Sequence, residues 1–102
     1  VKDVVEVLTF MMREKNENGL YNLGTGRARS FNALVIATFK ALGKVSAISY
    51  IDTPEDIRDK YQYFTEASMK KLILAGYSKP FTDLESGVKD YVQNYLIDKN
   101  YY

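Results

Sequence analysis

The first dozen residues constrain the fold most. Asp3, with Glu6 three residues on, has the pattern of a helix N-cap and its capping-box partner, so a helix to about Lys15 is expected. Its apolar residues are Val4, Val5, Val7, Leu8, Phe10, Met11 and Met12, which is more than one stripe. A helix apolar on most sides is normally buried on most sides. A chain of 102 residues has few layers with which to bury it. Two readings stand: a small domain with a thick first helix, or a chain cut from a larger protein. The second is the expectation.

The other end reads as an ordinary surface helix. Leu84, Val88, Tyr91, Val92, Tyr95 and Leu96 fall at helical spacing, and Thr82 with Glu85 repeats the capping-box pattern. Between the ends, helix and strand signals alternate. Asn16 to Gly19 is a polar turn, and Leu20-Tyr21-Asn22-Leu23 is a short strand candidate broken by Gly24-Thr25-Gly26. Ser30 caps a helix with Phe31, Leu34, Val35, Thr38, Ala41 and Leu42 on one face, stopped by Gly43. Val45 to Ile51, β-branched and aromatic residues alternating with small ones, is the strongest strand signal. Thr53-Pro54 starts a single helical turn, with Pro at its first position. Tyr61 to Phe64 reads as extended. Thr65 caps a helix with Ala67, Met69, Leu72 and Ile73, ended by Gly76. The order αβαβαα predicts a mixed α/β fold, mostly helices with a few short strands.

Composition narrows the chemistry. Hydrophobic residues at 46% and charged residues at 26% argue against disorder. Fourteen basic and thirteen acidic residues leave a formal charge of +1, which gives no support for a nucleic-acid or anionic-membrane partner. The sequence has no Cys and no His. That removes disulfides, thiolate metal sites and any His-based Ser or Cys triad. No apolar run approaches the ~18 residues of a membrane span. A soluble, cytoplasmic protein is expected.

Three segments hold candidate chemistry. Gly24-Thr25-Gly26-Arg27-Ala28-Arg29 lies between a strand signal and a helix, where a phosphate loop would sit. Arg29 stands where the dinucleotide fingerprint needs a third Gly, and the P-loop Lys-Ser/Thr is missing. A tight turn with positive φ is the preferred reading, although Arg27 and Arg29 could reach an anion. Asp52, Glu55, Asp56 and Asp59 could in principle hold a hard cation, but their spacing matches no calcium loop, and Arg58 and Lys60 are interleaved. A solvated helical turn is preferred, and no metal site is expected. Lys60-Tyr61-Gln62-Tyr63-Phe64 is the densest aromatic segment. Its rings could stack on a sugar or base, or pack into a core, and both readings stay open. Alternation puts Tyr61 and Tyr63 on one side and Phe64 on the other.

Taken together, Val1-Lys2-Asp3-Val4, Tyr21-Asn22-Leu23-Gly24-Thr25-Gly26 and Ser30-Phe31-Asn32 resemble the C-terminal third of the extended short-chain dehydrogenase/reductases. These are nucleotide-sugar epimerases and dehydratases. Lys60 to Thr65, Ala75-Gly76-Tyr77-Ser78-Lys79-Pro80-Phe81 and Glu85-Ser86-Gly87-Val88 are narrower. They resemble the branch that inverts C6″ of an ADP-linked heptose for lipopolysaccharide core assembly. The resemblance covers essentially the whole chain.

The resemblance implies a parent in two parts. A Rossmann domain upstream would carry NADP, the fingerprint glycines and the catalytic Tyr-x-x-x-Lys pair. Residues 1–102 would be the C-terminal, substrate-binding part, with no catalytic or cofactor-binding residue of their own. Bound NADP⁺ would take hydride from C6″ and return it to the opposite face, chemistry that belongs to the cofactor. Tyr61 matches the family's substrate-contacting Tyr, which implies that it holds the ADP-heptose nucleotide sugar. Tyr63 sits at a variable position, so the resemblance carries no role to it. Family members self-associate, which implies a homo-oligomer. The chain alone is expected to be inactive. A related epimerase or dehydratase acting on another nucleotide sugar, or a non-catalytic interaction module, is the alternative.

Overall fold

The computed structural model describes residues 1–14 and 18–99. Among these the helices are, in order, α1 (Lys2–Glu14), α2 (Phe31–Ala41), α3 (Glu55–Arg58), α4 (Lys70–Leu74) and α5 (Leu84–Tyr91). A π-helical turn, Val92–Leu96, continues α5. The chain divides into two compact units. One joins Val1–Ala28 to Glu66–Thr82, and the other joins Arg29–Thr65 to the residues from Asp83 onward.

No strand forms among the described residues. Leu20–Leu23 and Val45–Ile51, expected as strands, are irregular, and so is Tyr61–Phe64, expected as extended. The expectation of short strands in an α/β chain is therefore corrected for these residues. The reason is physical. A strand is held by hydrogen bonds to a neighbouring strand, and no two of these segments pair with each other. Residue types favouring a pleated surface cannot make one without a partner.

The first unit is built around Leu72, which is 1% exposed. Val7, Met69 and Tyr77 complete its buried cluster, with Phe10, Met11, Tyr21, Ala67 and Phe81 packed around them. Phe10 meets Tyr77 edge-on with ring centroids 5.3 Å apart. Fully burying one such side chain stabilises by about 1.5–3 kcal/mol. Helix α1 buries the face that carries Val7, while Val4, Val5, Leu8 and Met12 remain exposed.

The Asp3–Glu6 capping box does not form. Asp3 lies inside the first turn of α1, and its carboxylate accepts from the Thr82 backbone N–H at 2.8 Å and from Thr82 Oγ1 at 2.9 Å. Glu6 pairs instead with Lys79. Both carboxylates still lie near the positive end of the helix, where the backbone dipole favours them. The expected end of this helix at Lys15, and part of the turn after it, lie outside the described residues.

Helix α4 starts later than Thr65. Met69 is its N-cap, with no side-chain hydrogen bond, and Thr65 Oγ1 donates to Gln62 Oε1 at 3.3 Å. Its end is as expected. Gly76 takes φ +106°, and the Tyr77 N–H returns to the Leu72 carbonyl at 3.3 Å.

In the second unit, Ser30 caps α2 as expected, its Oγ accepting from the Ala33 N–H at 3.1 Å. Gly43 stops it at φ +69°. The buried face matches the expected one only in part, at Ala41 and at the half-buried Val35 and Thr38. Ala37 and Ala41 are buried, while Phe31, Leu34 and Leu42 are exposed. Helix α5 packs against α2. Small side chains one turn apart let two helix backbones come close. Gln93 Nε2 then reaches the Ala41 carbonyl at 3.0 Å.

Asp83, not Thr82, is the N-cap of α5, and its carboxylate accepts from the Ser86 N–H at 2.8 Å. Val92 is buried, but Tyr91 and Leu96 of the expected stripe are exposed. The π turn has i→i+5 hydrogen bonds, Ile97 N–H to the Val92 carbonyl at 3.0 Å among them. The 3.6-residue spacing that placed Leu96 on the stripe does not hold through it.

Candidate functional site

Tyr61 comes three residues after the end of α3. Pro54 is the N-cap of that one-turn helix, one residue later than expected, and the Lys60 N–H closes it on the Ile57 carbonyl at 3.0 Å. Asp52, Glu55, Asp56 and Asp59 are all exposed along it. Among the described residues, no group of three or more acidic side chains is placed to hold a metal ion. Arg58 Nη2 donates to the Thr53 carbonyl at 2.9 Å, which ties the helix to the residue before Pro54.

The aromatic segment that follows is on the surface of its unit. Tyr61 is 39% exposed, and Tyr63 and Phe64 are about three-quarters exposed. Of the two readings left open by the sequence, packing into the core of this unit is not what the structure shows. The rings of Tyr61 and Tyr63 meet edge to face, centroids 5.2 Å apart and planes at 62°. They share a side, as alternation predicts. The Tyr61 hydroxyl makes no hydrogen bond among the described residues. A half-exposed ring with an available hydroxyl can stack on a flat ligand and exchange a hydrogen bond with it.

The glycine turn is not a phosphate cradle. Gly26 takes φ +74°, the conformation that the preferred reading required. Thr25 Oγ1 accepts from the Arg27 N–H and donates to the Arg27 carbonyl, both at 3.2 Å. The Ala28 N–H, which a bound anion would need, already donates to Glu66 Oε2 at 2.9 Å. Glu66 thus supplies the negative charge from within the chain. An ideal Cβ on Gly24 would stand 3.0 Å from Ala67 Cβ, so a close approach as well as a turn calls for Gly here.

Arg29 is not available to an anion either. Its guanidinium holds Glu85 with both terminal nitrogens, Nη1 to Oε2 at 3.1 Å and Nη2 to Oε1. This bidentate contact holds the Glu85 carboxyl down to about 2, hydrogen bonding from Arg29 being the first cause. Asp83 beside it is also lowered, chiefly by hydrogen bonding from Ser86. The pair was invisible in the sequence, because nothing local marks two residues so far apart as partners.

The first unit carries an open cleft of about 880 Å³. Thr25 and Gly26 border it on one side, Lys79 and Phe81 on another, with Met69 and Tyr77 also in its wall. No local sequence pattern marks this cleft, although residues of the Gly76 to Phe81 segment, which carries part of the family resemblance, line it. Lys71, outside this cleft, donates from Nζ to the Leu20 carbonyl at 2.8 Å and lies 4.4 Å from the centre of the Tyr21 ring. Among the described residues no helix is long and apolar enough to cross a membrane.

Comparison with known proteins gives a consistent result. The chain is 48% identical over 108 aligned positions to an ADP-L-glycero-D-manno-heptose-6-epimerase of Fusobacterium nucleatum, with all of this chain and 32% of the relative covered. It is 51% identical over 96 positions to the enzyme of the same name from Nitratidesulfovibrio vulgaris, covering 94% of this chain and 30% of the relative. A third, from Brachyspira hyodysenteriae, is 43% identical over 93 positions, covering 91% and 29%. No protein-family model matches the chain. The chain spans about a third of the length of these curated relatives, and it matches their C-terminal part.

Proposed function

We propose that this chain is the C-terminal, substrate-side part of an ADP-heptose epimerase. The observation that carries the reading is identity of 43–51% to proteins of that name along nearly the whole chain. The whole protein would invert C6″ of ADP-D-glycero-D-manno-heptose, serve lipopolysaccharide core synthesis in the cytoplasm, and act as a homo-oligomer. Its parent fold would be α/β, with a Rossmann domain upstream of these residues.

The redox step belongs to that upstream part. NADP is the cofactor proposed for the whole protein, but the residues present here do not fit it. The Gly24–Gly26 turn ahead of α2 has its Ala28 amide taken by Glu66 and its Arg29 taken by Glu85. No step of hydride transfer is therefore assigned to this chain.

The role proposed for this chain is to hold the sugar nucleotide. Tyr61 is the residue assigned to it. Its ring is partly exposed, its hydroxyl has no partner among the described residues, and it lies in the aromatic segment that resembles the family's substrate contact. Stacking or a hydrogen bond there restrains the nucleotide sugar while the heptose reorients, which is a binding task and not a proton transfer.

The test is conversion of ADP-D-glycero-D-manno-heptose by a complete protein carrying this chain. A chimera in which these 102 residues replace the matching part of the Fusobacterium relative serves equally. Epimerisation is expected from either, and none from the 102 residues alone. Tyr61→Phe should raise KM for the sugar nucleotide by roughly tenfold, about 1.4 kcal/mol, and leave NADP affinity unchanged. A complete protein that binds NADP but leaves ADP-heptose unaltered would sink the reading.

A further inference from the structure

We infer that Tyr63 is a positioning residue for Tyr61: its ring fixes the orientation in which Tyr61 meets the nucleotide sugar. The inference rests on the proposed role of Tyr61 and adds to it a residue for which the family resemblance gives no role.

Tyr61 needs such support. It stands at the start of an irregular segment, so no strand ladder holds its backbone. Its hydroxyl is not tethered among the described residues. An exposed Tyr on such a segment samples several χ1 wells, and a ligand that needs one of them must stop that motion on binding. The ring contact that restrains it among the described residues is with Tyr63, edge to face at 5.2 Å and 62°. Aromatic pairs in this geometry are favoured over other relative orientations.

The exposures give the direction of the effect. Tyr61 is 39% exposed and Tyr63 75%. Tyr63 is therefore the outer ring, with little burial of its own to justify it, and it covers part of Tyr61. Its other aromatic neighbour in sequence, Phe64, lies 74% exposed and makes no comparable ring contact with Tyr61 among the described residues. A ring at position 63 is what the arrangement requires. The Tyr63 hydroxyl is not, since the contact is between rings.

The experiment is a double-mutant cycle in the complete protein, read as KM and kcat for ADP-D-glycero-D-manno-heptose. Tyr63→Leu should raise KM roughly three- to tenfold, the range of one aromatic pair, with kcat and NADP affinity kept. Tyr63→Phe should restore the KM of the unmodified protein. On a Tyr61→Ala background, Tyr63→Leu should cost nothing further, because it acts only through Tyr61. If Tyr61→Ala raises KM but Tyr63→Leu does not, or if its effect adds in full to that of Tyr61→Ala, the positioning role is overturned and Tyr61 keeps its own. If Tyr61→Ala leaves KM unchanged, the substrate role of Tyr61 falls, and the positioning role with it. Tyr63→Ser gives the same reading should the Leu variant aggregate.

Discussion

Arg29 and Glu85 lie 56 residues apart in the chain and meet through two parallel N–H···O contacts. One stands just before α2 and the other in the first turn of α5, so the pair pins together the starts of the two helices that pack on each other. Asp83, the cap of α5, adds its charge to the same corner and raises the hold on the Arg29 proton further.

The pair predicts an acid-side loss of stability in the second unit. The Glu85 carboxyl is lowered from 4.5 to about 2. A carboxyl depressed in the folded state gives its full stabilisation above its unfolded value, and this is lost as pH falls through the folded value. Thermal melts between pH 5 and pH 2 should therefore show stability declining steadily. Glu85→Gln should flatten the slope without removing it, because Asp83 is lowered as well. The side chains are 39% and 52% exposed, so added salt should shrink the difference between the two proteins. Parallel slopes for Glu85→Gln and the unmodified chain would rule out the pair as the cause.

Leu72 predicts the largest loss from a single truncation. It is the most deeply buried side chain of the first unit and touches the cluster that α1 and α4 share with Tyr77. Leu72→Ala should cost about 3 kcal/mol in urea unfolding, since a cavity at the centre of a small cluster has few neighbours to collapse into it. Met69→Leu, nearly equal in volume, should cost less than about 1.5 kcal/mol. Equal losses from the two would mean that packing does not hold this unit.

What was legible in the sequence was mostly local. Ser30 and Gly43 bound α2 as their chemistry requires, because a cap is satisfied by residues three or four positions away. The same logic failed at Asp3 and Thr82. Each had a plausible local partner, and the two found each other across the chain instead. The cap of α5 passed to Asp83, one residue on, an equally good acceptor. The strand signals failed for another reason: Val45 to Ile51 has the residues of a strand but nothing to pair with among the described residues. At the candidate site, alternation put Tyr61 and Tyr63 on one side, and their rings touch. The Arg29–Glu85 pair and the cleft depend on how distant segments meet, which no local pattern encodes.

Two glycines predict different costs for the same substitution. Gly43 has φ +69° with nothing within 4 Å of an added Cβ, so Gly43→Ala pays only for the left-handed backbone, about 1 kcal/mol. Gly76 has φ +106°, well outside the left-handed well near +57° that other residues tolerate. An added Cβ would meet only ordinary contact, Phe10 Cζ at 3.8 Å. Backbone strain, not crowding, should therefore make Gly76→Ala the costlier by about 1 kcal/mol. Urea midpoints for the two variants decide it, and equal shifts would contradict the strain argument.

The Asp3–Thr82 contact predicts a measurable coupling. One carboxylate takes two donors from one residue, the backbone N–H at 2.8 Å and the hydroxyl at 2.9 Å. Asp3→Ala frees both and should cost about 1–2 kcal/mol. Thr82→Val loses only the hydroxyl and should cost about 0.5–1 kcal/mol. The double variant should then be more stable than the sum of the singles implies, by at least about 0.5 kcal/mol. Hydrogen exchange separates the donors: the Thr82 amide should exchange faster in Asp3→Ala and stay protected in Thr82→Val. Strict additivity, with the amide equally protected in both, would mean that the contact does not tie the end of this segment to α1.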